Sequence, residues 1–179
     1  MPEAKLNRTE EGLVSEGEGW YVVNAREARW EYSEAFGSWT TFEGDDRWQQ
    51  MGVNIGVLEP GKPACMYHGE ASQEGFLVLE GECLLLVEGE ERRLGRWDFF
   101  HCAPWTEHVL IGAGDRPCVV VAMGARNIPD HGLLYPVNET ALKHGAGVEQ
   151  ETTQGKEAYA PFPQAEPGSY RHGDLLPPG

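Results

Sequence analysis

Short apolar runs recur through the middle of the chain, and most of them stop at a turn rich in Gly, Pro or Asp, such as Glu59-Pro60-Gly61. No segment of this region repeats its apolar residues at the 3.6-residue period of a helix. Strands and turns spaced about ten residues apart are typical of an antiparallel sandwich or a closed barrel. The pattern therefore predicts an all-β barrel over residues 48–126, with strands at Met51–Leu58, Phe76–Leu79, Cys83–Val87, Trp97–Cys102, His108–Ile111 and Cys118–Met123.

Two of these runs, Cys83–Val87 and Cys118–Met123, are apolar at every position. A strand with apolar side chains on both sides is usually covered on both faces. We therefore expect other parts of the chain to cover these strands. We also expect Cys118–Met123 and Phe76–Leu79 to be deeply buried in the barrel.

The chain flanks this barrel with two extensions of different character. Residues 1–19 are charged and Gly-rich, which predicts a mobile tail. Residues 20–47 contain two aromatic stretches, Trp20–Val23 and Arg29–Tyr32, which predict strands. Residues 127–179 hold most of the 12 prolines and no long apolar run, so we expect an irregular surface tail with one short helix near Glu139–His144.

Charge and composition exclude several classes of partner and location. With a formal net charge of −15, the chain repels phosphate backbones and anionic lipid surfaces, so we expect neither nucleic acid nor membrane as a partner. No apolar run approaches the roughly 18 residues that span a bilayer, and the polar N-terminus does not resemble a signal peptide. We therefore expect a cytoplasmic protein. The four cysteines form no CxxC pair and lie in or beside apolar runs, which favours buried free thiols over a disulfide.

Candidate chemistry is concentrated between two of the predicted strands. His68 and Glu70 are two residues apart, so their side chains point the same way in an extended segment. Glu74 opens the next strand, and His108 follows the turn at Pro104. Imidazole and carboxylate together suit zinc, manganese, iron, cobalt or nickel. We predict one divalent metal ion held by His68, Glu74 and His108. Glu70 is either a fourth ligand or part of an exposed loop.

These residues also resemble the two motifs of the cupin family. The resemblance covers residues from about Met51 to Arg126 and includes His68, Glu74 and Gly81 of a first motif and His108 of a second. Several positions depart from the family pattern: Glu70 replaces a second His, Trp97 and Trp105 replace glycines, Ala103 replaces a proline, and Gly112 replaces an Asn. His101 or Cys102 must face the barrel interior, since neighbours on a strand alternate, and His101 is a weak candidate for orienting a ligand.

The resemblance implies a double-sheet jelly roll with the metal site inside the barrel and a small-molecule ligand in its mouth. It implies a metal-dependent oxidoreductase, such as a dioxygenase, acting on a small organic molecule. The first alternative is a non-catalytic binding or sensing module that uses the same pocket. The second is a metal-dependent sugar or sugar-phosphate isomerase. Small cupins often pair through N-terminal strands, so the resemblance and the aromatic stretches at Trp20–Val23 and Arg29–Tyr32 together imply a homodimer.

Overall fold

The computed structural model describes residues 1–44, 47–126 and 132–175. Residues 45–46 of the N-terminal extension and residues 127–131 and 176–179 of the C-terminal extension lie outside the described residues. The described part of the chain forms fourteen strands and two short helices: β1 (Lys5–Thr9), β2 (Gly12–Glu16), β3 (Arg29–Tyr32), β4 (Ser38–Thr41), β5 (Met51–Leu58), β6 (Gly69–Glu70), β7 (Glu74–Glu80), β8 (Glu82–Val87), β9 (Glu90–Leu94), β10 (Phe99–Cys102), β11 (His108–Ala113), β12 (Cys118–Ala125), β13 (Leu133–Leu134), α1 (Glu139–Lys143), α2 (Gly155–Ala158) and β14 (Glu166–Gly168).

Two antiparallel sheets form the barrel. The larger sheet has the strand order β10-β7-β12-β5-β4-β3-β14, and the smaller one has the order β11-β8-β9. Apolar side chains from both sheets meet in one core, with Phe76 and Val120 from the larger sheet and Leu85 and Leu110 from the smaller. The predicted all-β double-sheet jelly roll is therefore confirmed.

A second apolar cluster covers the outer face of the smaller sheet. Leu86 of β8 and Val109 of β11 pack there against Tyr67 and against Ala141 of helix α1. The expectation that β8 is covered on both faces is therefore confirmed. Uniform deep burial of Cys118–Met123 and Phe76–Leu79 is wrong, because alternate residues such as Leu77 and Val121 face outward and are only partly buried.

The N-terminal extension is more ordered than the sequence suggests. Residues predicted to be mobile form the hairpin β1–β2, in which Lys5 pairs with Glu16 and Thr9 with Gly12. The predicted strand at Trp20–Val23 is absent, because Trp20 makes one isolated bridge, to Glu3, and the three residues after it are not extended in a sheet.

The predicted strand at Arg29–Tyr32 is confirmed as β3, and it belongs to the larger sheet. It pairs with β4 on one side and with β14 of the C-terminal segment on the other. The C-terminal segment also contains the predicted helix, α1, whose N-terminus is capped by Asn138 through hydrogen bonds from the backbone N–H groups of Thr140 and Ala141. One strand from each extension, β3 and β14, therefore lengthens the larger sheet of the barrel.

Two tryptophans occupy backbone conformations that ordinarily favour glycine. Trp97 has φ 74° and Trp105 has φ 66°, and these are the positions where the family pattern has glycine. The backbone N–H of Trp105 donates to the carbonyl of Glu70 at 2.7 Å, which anchors the turn before β11 beside the loop that carries Glu70.

The positive φ of Trp105 leads to a stability prediction. The prediction compares two variants that both lack the indole, so the loss of the indole does not affect the comparison. Trp105→Gly is expected to be more stable than Trp105→Ala by about 1 kcal/mol, because both variants lack the indole but only alanine retains a Cβ at positive φ. At Phe99, in the extended strand β10, the order should be reversed. Urea unfolding of the four variants tests this, and an alanine variant as stable as the glycine variant at position 105 would contradict it.

All four cysteines are free thiols, as predicted, and Cys83, Cys102 and Cys118 are buried. Among the described residues there is no helix with the length and apolar character needed to cross a bilayer.

Candidate metal centre

Strand pairing brings the two predicted histidine ligands together although forty residues separate them. His68 and His108 form an antiparallel bridge in which the N–H of His108 donates to the carbonyl of His68 at 2.8 Å and the reverse bond measures 3.2 Å. Their imidazole rings lie side by side with centroids 5.0 Å apart. Glu74, the first residue of β7, points to the same side of its strand as the core residues Phe76 and Val78.

One ligand atom from each of His68, Glu74 and His108 lies within 4.8 Å of the other two. The Nε2 atom of His108 is 3.4 Å from Oε2 of Glu74. A spacing of this kind allows one ion to contact all three side chains. The structure therefore brings together the three residues on which the predicted site depends.

Backbone carbonyls hold both imidazoles in the orientation that a metal ligand requires. Nδ1 of His68 lies 2.8 Å from the carbonyl oxygen of Met66, and Nδ1 of His108 lies 3.1 Å from that of Thr106. A carbonyl only accepts hydrogen bonds, so each Nδ1 must carry the proton and each neutral ring keeps its lone pair on Nε2. In each case the backbone carbonyl two residues earlier in the chain binds Nδ1 and leaves Nε2 available to a metal ion.

Burial keeps Glu74 and His108 uncharged in the metal-free site. It raises the pKa of Glu74 from its ordinary value of 4.5 to about 8, and the neighbouring carboxylate of Glu70 adds to this shift. Burial also lowers the pKa of His108 from 6.5 to about 4, with a further contribution from His68 and a small opposing one from the hydrogen bond to Thr106. The contact between Glu74 and His108 is therefore not an ion pair at neutral pH, although its length of 3.4 Å would allow one.

The donor set fits a divalent metal for a reason visible in the site itself. Oε2 of Glu74 is buried and has no hydrogen-bond partner among the described residues. A buried polar atom without a partner is costly, and here it lies beside two imidazole lone pairs. A cation of the zinc, iron, manganese, cobalt or nickel class would satisfy all three donors at once.

Glu70 lies at the margin of this cluster. Its Oε2 atom is 4.0 Å from Nε2 of His68, and it does not belong to the group of three converging donors. Its role as a fourth ligand stays a prediction. His101 is exposed on β10, so the suggestion that it orients a ligand is wrong, and Cys102 is the neighbour that faces inward.

The sequence did not predict that a thiol lies behind each of the two imidazoles. Sγ of Cys65 is 3.7 Å from Nδ1 of His68, and Sγ of Cys102 is 3.4 Å from Nδ1 of His108. Burial raises the pKa of both thiols well above the ordinary range, so they contact the rings as neutral groups. The interior position of Cys102 was one of two alternatives in the strand pattern, whereas no sequence signal marked Cys65.

A small cavity lies beside the group formed by His68, Glu74 and His108, and Glu74 is part of its lining. It has a volume of about 240 Å³, and its lining includes Glu74, Glu70, Asn54, Ser72 and Arg126. The Arg126 guanidinium is already held by Glu43, with two hydrogen bonds of 2.7 and 2.9 Å. The mouth is therefore polar and has room for a small molecule. Larger cavities lie elsewhere on the molecule and do not include the three donors.

A double-sheet β jelly roll with a cluster of His and Glu side chains inside one end defines the cupin class of proteins. Residues 54–124 match the cupin domain family, so the barrel of this chain is a cupin domain. No curated protein gives a significant match.

Solved structures resemble the chain in fold. The polyketide cyclase RemF from Streptomyces resistomycificus is 12% identical over 63% of this chain and 84% of its own, with a TM-score of 0.54. A cupin 2 domain-containing protein from Halorhodospira halophila is 14% identical over 64% of this chain and 79% of its own, with a TM-score of 0.50. A candidate sugar phosphate isomerase from Acidithiobacillus ferrooxidans is 24% identical over 48% of this chain and 55% of its own, with a TM-score of 0.45, so the chain spans little more than half of that relative.

Proposed function

We propose that the chain is a metal-binding cupin that acts as an oxidoreductase, of the dioxygenase kind, on a small organic molecule. The observation that carries this proposal is the buried, partnerless Oε2 of Glu74 between two imidazoles whose Nε2 lone pairs are free. A divalent metal bound there supplies Lewis acidity, and iron or manganese would supply redox chemistry as well. Three protein ligands leave further coordination positions for other molecules, which is typical of catalytic sites rather than structural ones.

The residues of the mouth suggest how a substrate is held. Asn54 and Ser72 offer neutral hydrogen-bonding groups beside the two glutamates. Glu70 can accept a hydrogen bond from a hydroxyl or water that approaches the cluster. The small volume excludes large substrates, so we propose a compact molecule with adjacent hydroxyl or keto groups.

The sugar-phosphate alternative has less support from this mouth. A phosphate group needs a cation that is free to bind it. Arg126 lines the cavity, but its guanidinium is engaged by Glu43 and by the carbonyl of Trp48 at 3.1 Å. We therefore keep the oxidoreductase as the first proposal and the non-catalytic binding protein as the second.

The homodimer also stays a prediction, but its argument from the N-terminal strands is weaker than the sequence implied. Arg29–Tyr32 already has strand partners on both sides within one chain, so it does not need a second copy. Light scattering at micromolar concentration tests the dimer directly.

Elemental analysis of protein purified without a tag or chelator tests the proposed function first. We expect one transition metal per chain in the native protein and a loss of that metal in Glu74→Ala. Oxygen uptake is then measured with the metal-loaded protein and a panel of small vicinal diols and diketones. Metal with substrate-dependent uptake supports the oxidoreductase, and metal without it favours the binding protein. An equal metal content in the Glu74→Ala variant would contradict both.

A further inference from the structure

A larger cavity lies outside the metal site, between the two extensions of the barrel. It has a volume of about 540 Å³ and is lined by residues of the segments 31–39 and 156–165. Ala64 and Cys65 are its only lining residues within the part that matches the cupin family. We call it the extension cavity. Its volume lies within the range of about 300–1,000 Å³ that is common for small-molecule sites.

Aromatic rings form the walls of the extension cavity. Phe36 packs edge to face against Tyr159 at 5.3 Å and against Phe162 at 4.9 Å, measured between ring centroids. The Tyr159 hydroxyl accepts a hydrogen bond from the backbone N–H of Met66 at 3.1 Å, which fixes that ring. Trp39 contributes a fourth ring from β4. Such walls suit a flat apolar group, because aromatic rings stack or meet edge to face with ligand rings.

Two opposite charges stand at the rim of this apolar space. Glu31 lies on β3 directly opposite Trp39, and Lys156 lies on helix α2, three residues before Tyr159. Both side chains are exposed, and within the described part of the chain neither has an ion-pair partner or a side-chain hydrogen bond. They do not pair with each other either, so both charges remain available to a ligand.

We propose that the extension cavity binds a small aromatic zwitterion of the aromatic amino acid type. The ring lies among Phe36, Tyr159 and Phe162. The carboxylate of the ligand faces Lys156, and its ammonium group faces Glu31. This proposal is independent of the metal site, since none of His68, Glu74 and His108 lines the extension cavity.

Calorimetric titration with three probes in the presence of EDTA tests the proposal. The probes are L-phenylalanine, 3-phenylpropanoate, which lacks the ammonium group, and 2-phenylethylamine, which lacks the carboxylate. Lys156→Met is expected to weaken binding of phenylalanine and phenylpropanoate by roughly fivefold to tenfold, with phenylethylamine unchanged. Glu31→Gln should weaken phenylalanine and phenylethylamine by a similar factor, with phenylpropanoate unchanged.

Matched controls make the outcome decisive. Lys143→Met and Glu34→Gln remove one charge of the same sign each, but neither residue lines the extension cavity, so all three affinities should be unchanged. All four positions are exposed, and thermal unfolding checks the fold of every variant. The proposal is overturned if phenylalanine does not bind, or if the two cavity variants lack the reciprocal selectivity for the single-charge probes.

Discussion

Replacing His68 with alanine is expected to lower the affinity for a divalent metal by more than a hundredfold. Loss of a group that only orients a metal ligand typically costs tenfold to a hundredfold, and His68 is proposed as a ligand itself. Its Nδ1 proton is committed to the carbonyl of Met66, which leaves its Nε2 to face Glu74, His108 and, at 4.0 Å, Glu70. His108→Ala should cause a similar loss, with a larger cost in stability because His108 is almost completely buried.

The measurement is a competition titration of zinc or manganese against a chromogenic chelator. His101→Ala is the matched control, since His101 is exposed on β10 and points away from the barrel interior. Glu70→Gln distinguishes the two interpretations of Glu70: an unchanged affinity places it outside the ligand set, and a loss equal to that of His68→Ala makes it a full ligand. Wild-type affinity in both His68→Ala and His108→Ala would show that the ion binds elsewhere or not at all.

The barrel could be predicted because its strands are short, apolar and bounded by turns. The same logic fails for the hairpin β1–β2, in which every cross-strand pair contains at least one polar residue, such as Asn7 with Val14 and Lys5 with Glu16. A strand that buries little apolar surface leaves little trace in a hydrophobic pattern. At Trp20–Val23 the error is the opposite one: a strand is predicted from apolar residues, but two of them, Trp20 and Val22, are exposed, at 54% and 79%.

The convergence of His68, Glu74 and His108 could be predicted because His68 and Glu74 lie close to strand ends and His108 follows a distinct turn. The tautomers of the two imidazoles could not be predicted, because they depend on the backbone carbonyls of Met66 and Thr106 and on local chain geometry. The extension cavity could not be predicted from the sequence either. Its walls come from segments more than a hundred residues apart, and the pairing of β14 with β3 and the contacts of Phe36 with Tyr159 and Phe162 bring them together.

Glu74 should make the metal-free protein less stable as the pH rises from about 6.5 to about 8. In the folded state the pKa of Glu74 is raised to about 8 and that of His108 is lowered to about 4, so the pair keeps one proton between these limits. In the unfolded chain the ordinary values of 4.5 and 6.5 apply. Both states therefore hold one proton between pH 4.5 and 6.5, and only the folded state holds one between 6.5 and 8.

Unfolding releases this proton above pH 6.5, so the free energy of unfolding falls as the pH rises. Over one and a half pH units the loss is about 2 kcal/mol. Glu74→Gln removes the ionisable group, keeps the size of the side chain and can donate a hydrogen bond to Nε2 of His108. His68 and Glu70 also face the site, but they are the same in both proteins. The variant should therefore keep its stability above pH 6.5.

Urea unfolding in EDTA at pH 6.5 and pH 8 tests this prediction, with Glu10→Gln as a control at an exposed position. Without metal, the stability of Glu74→Gln relative to the wild type should rise by about 2 kcal/mol between pH 6.5 and pH 8, so that the variant is the more stable protein at pH 8. With saturating zinc the order should reverse, because binding stabilises only the protein that has kept its ligand. A merely structural carboxylate would not give this reversal. Parallel pH profiles for wild type and Glu74→Gln would show that Glu74 is not a buried, protonated metal ligand.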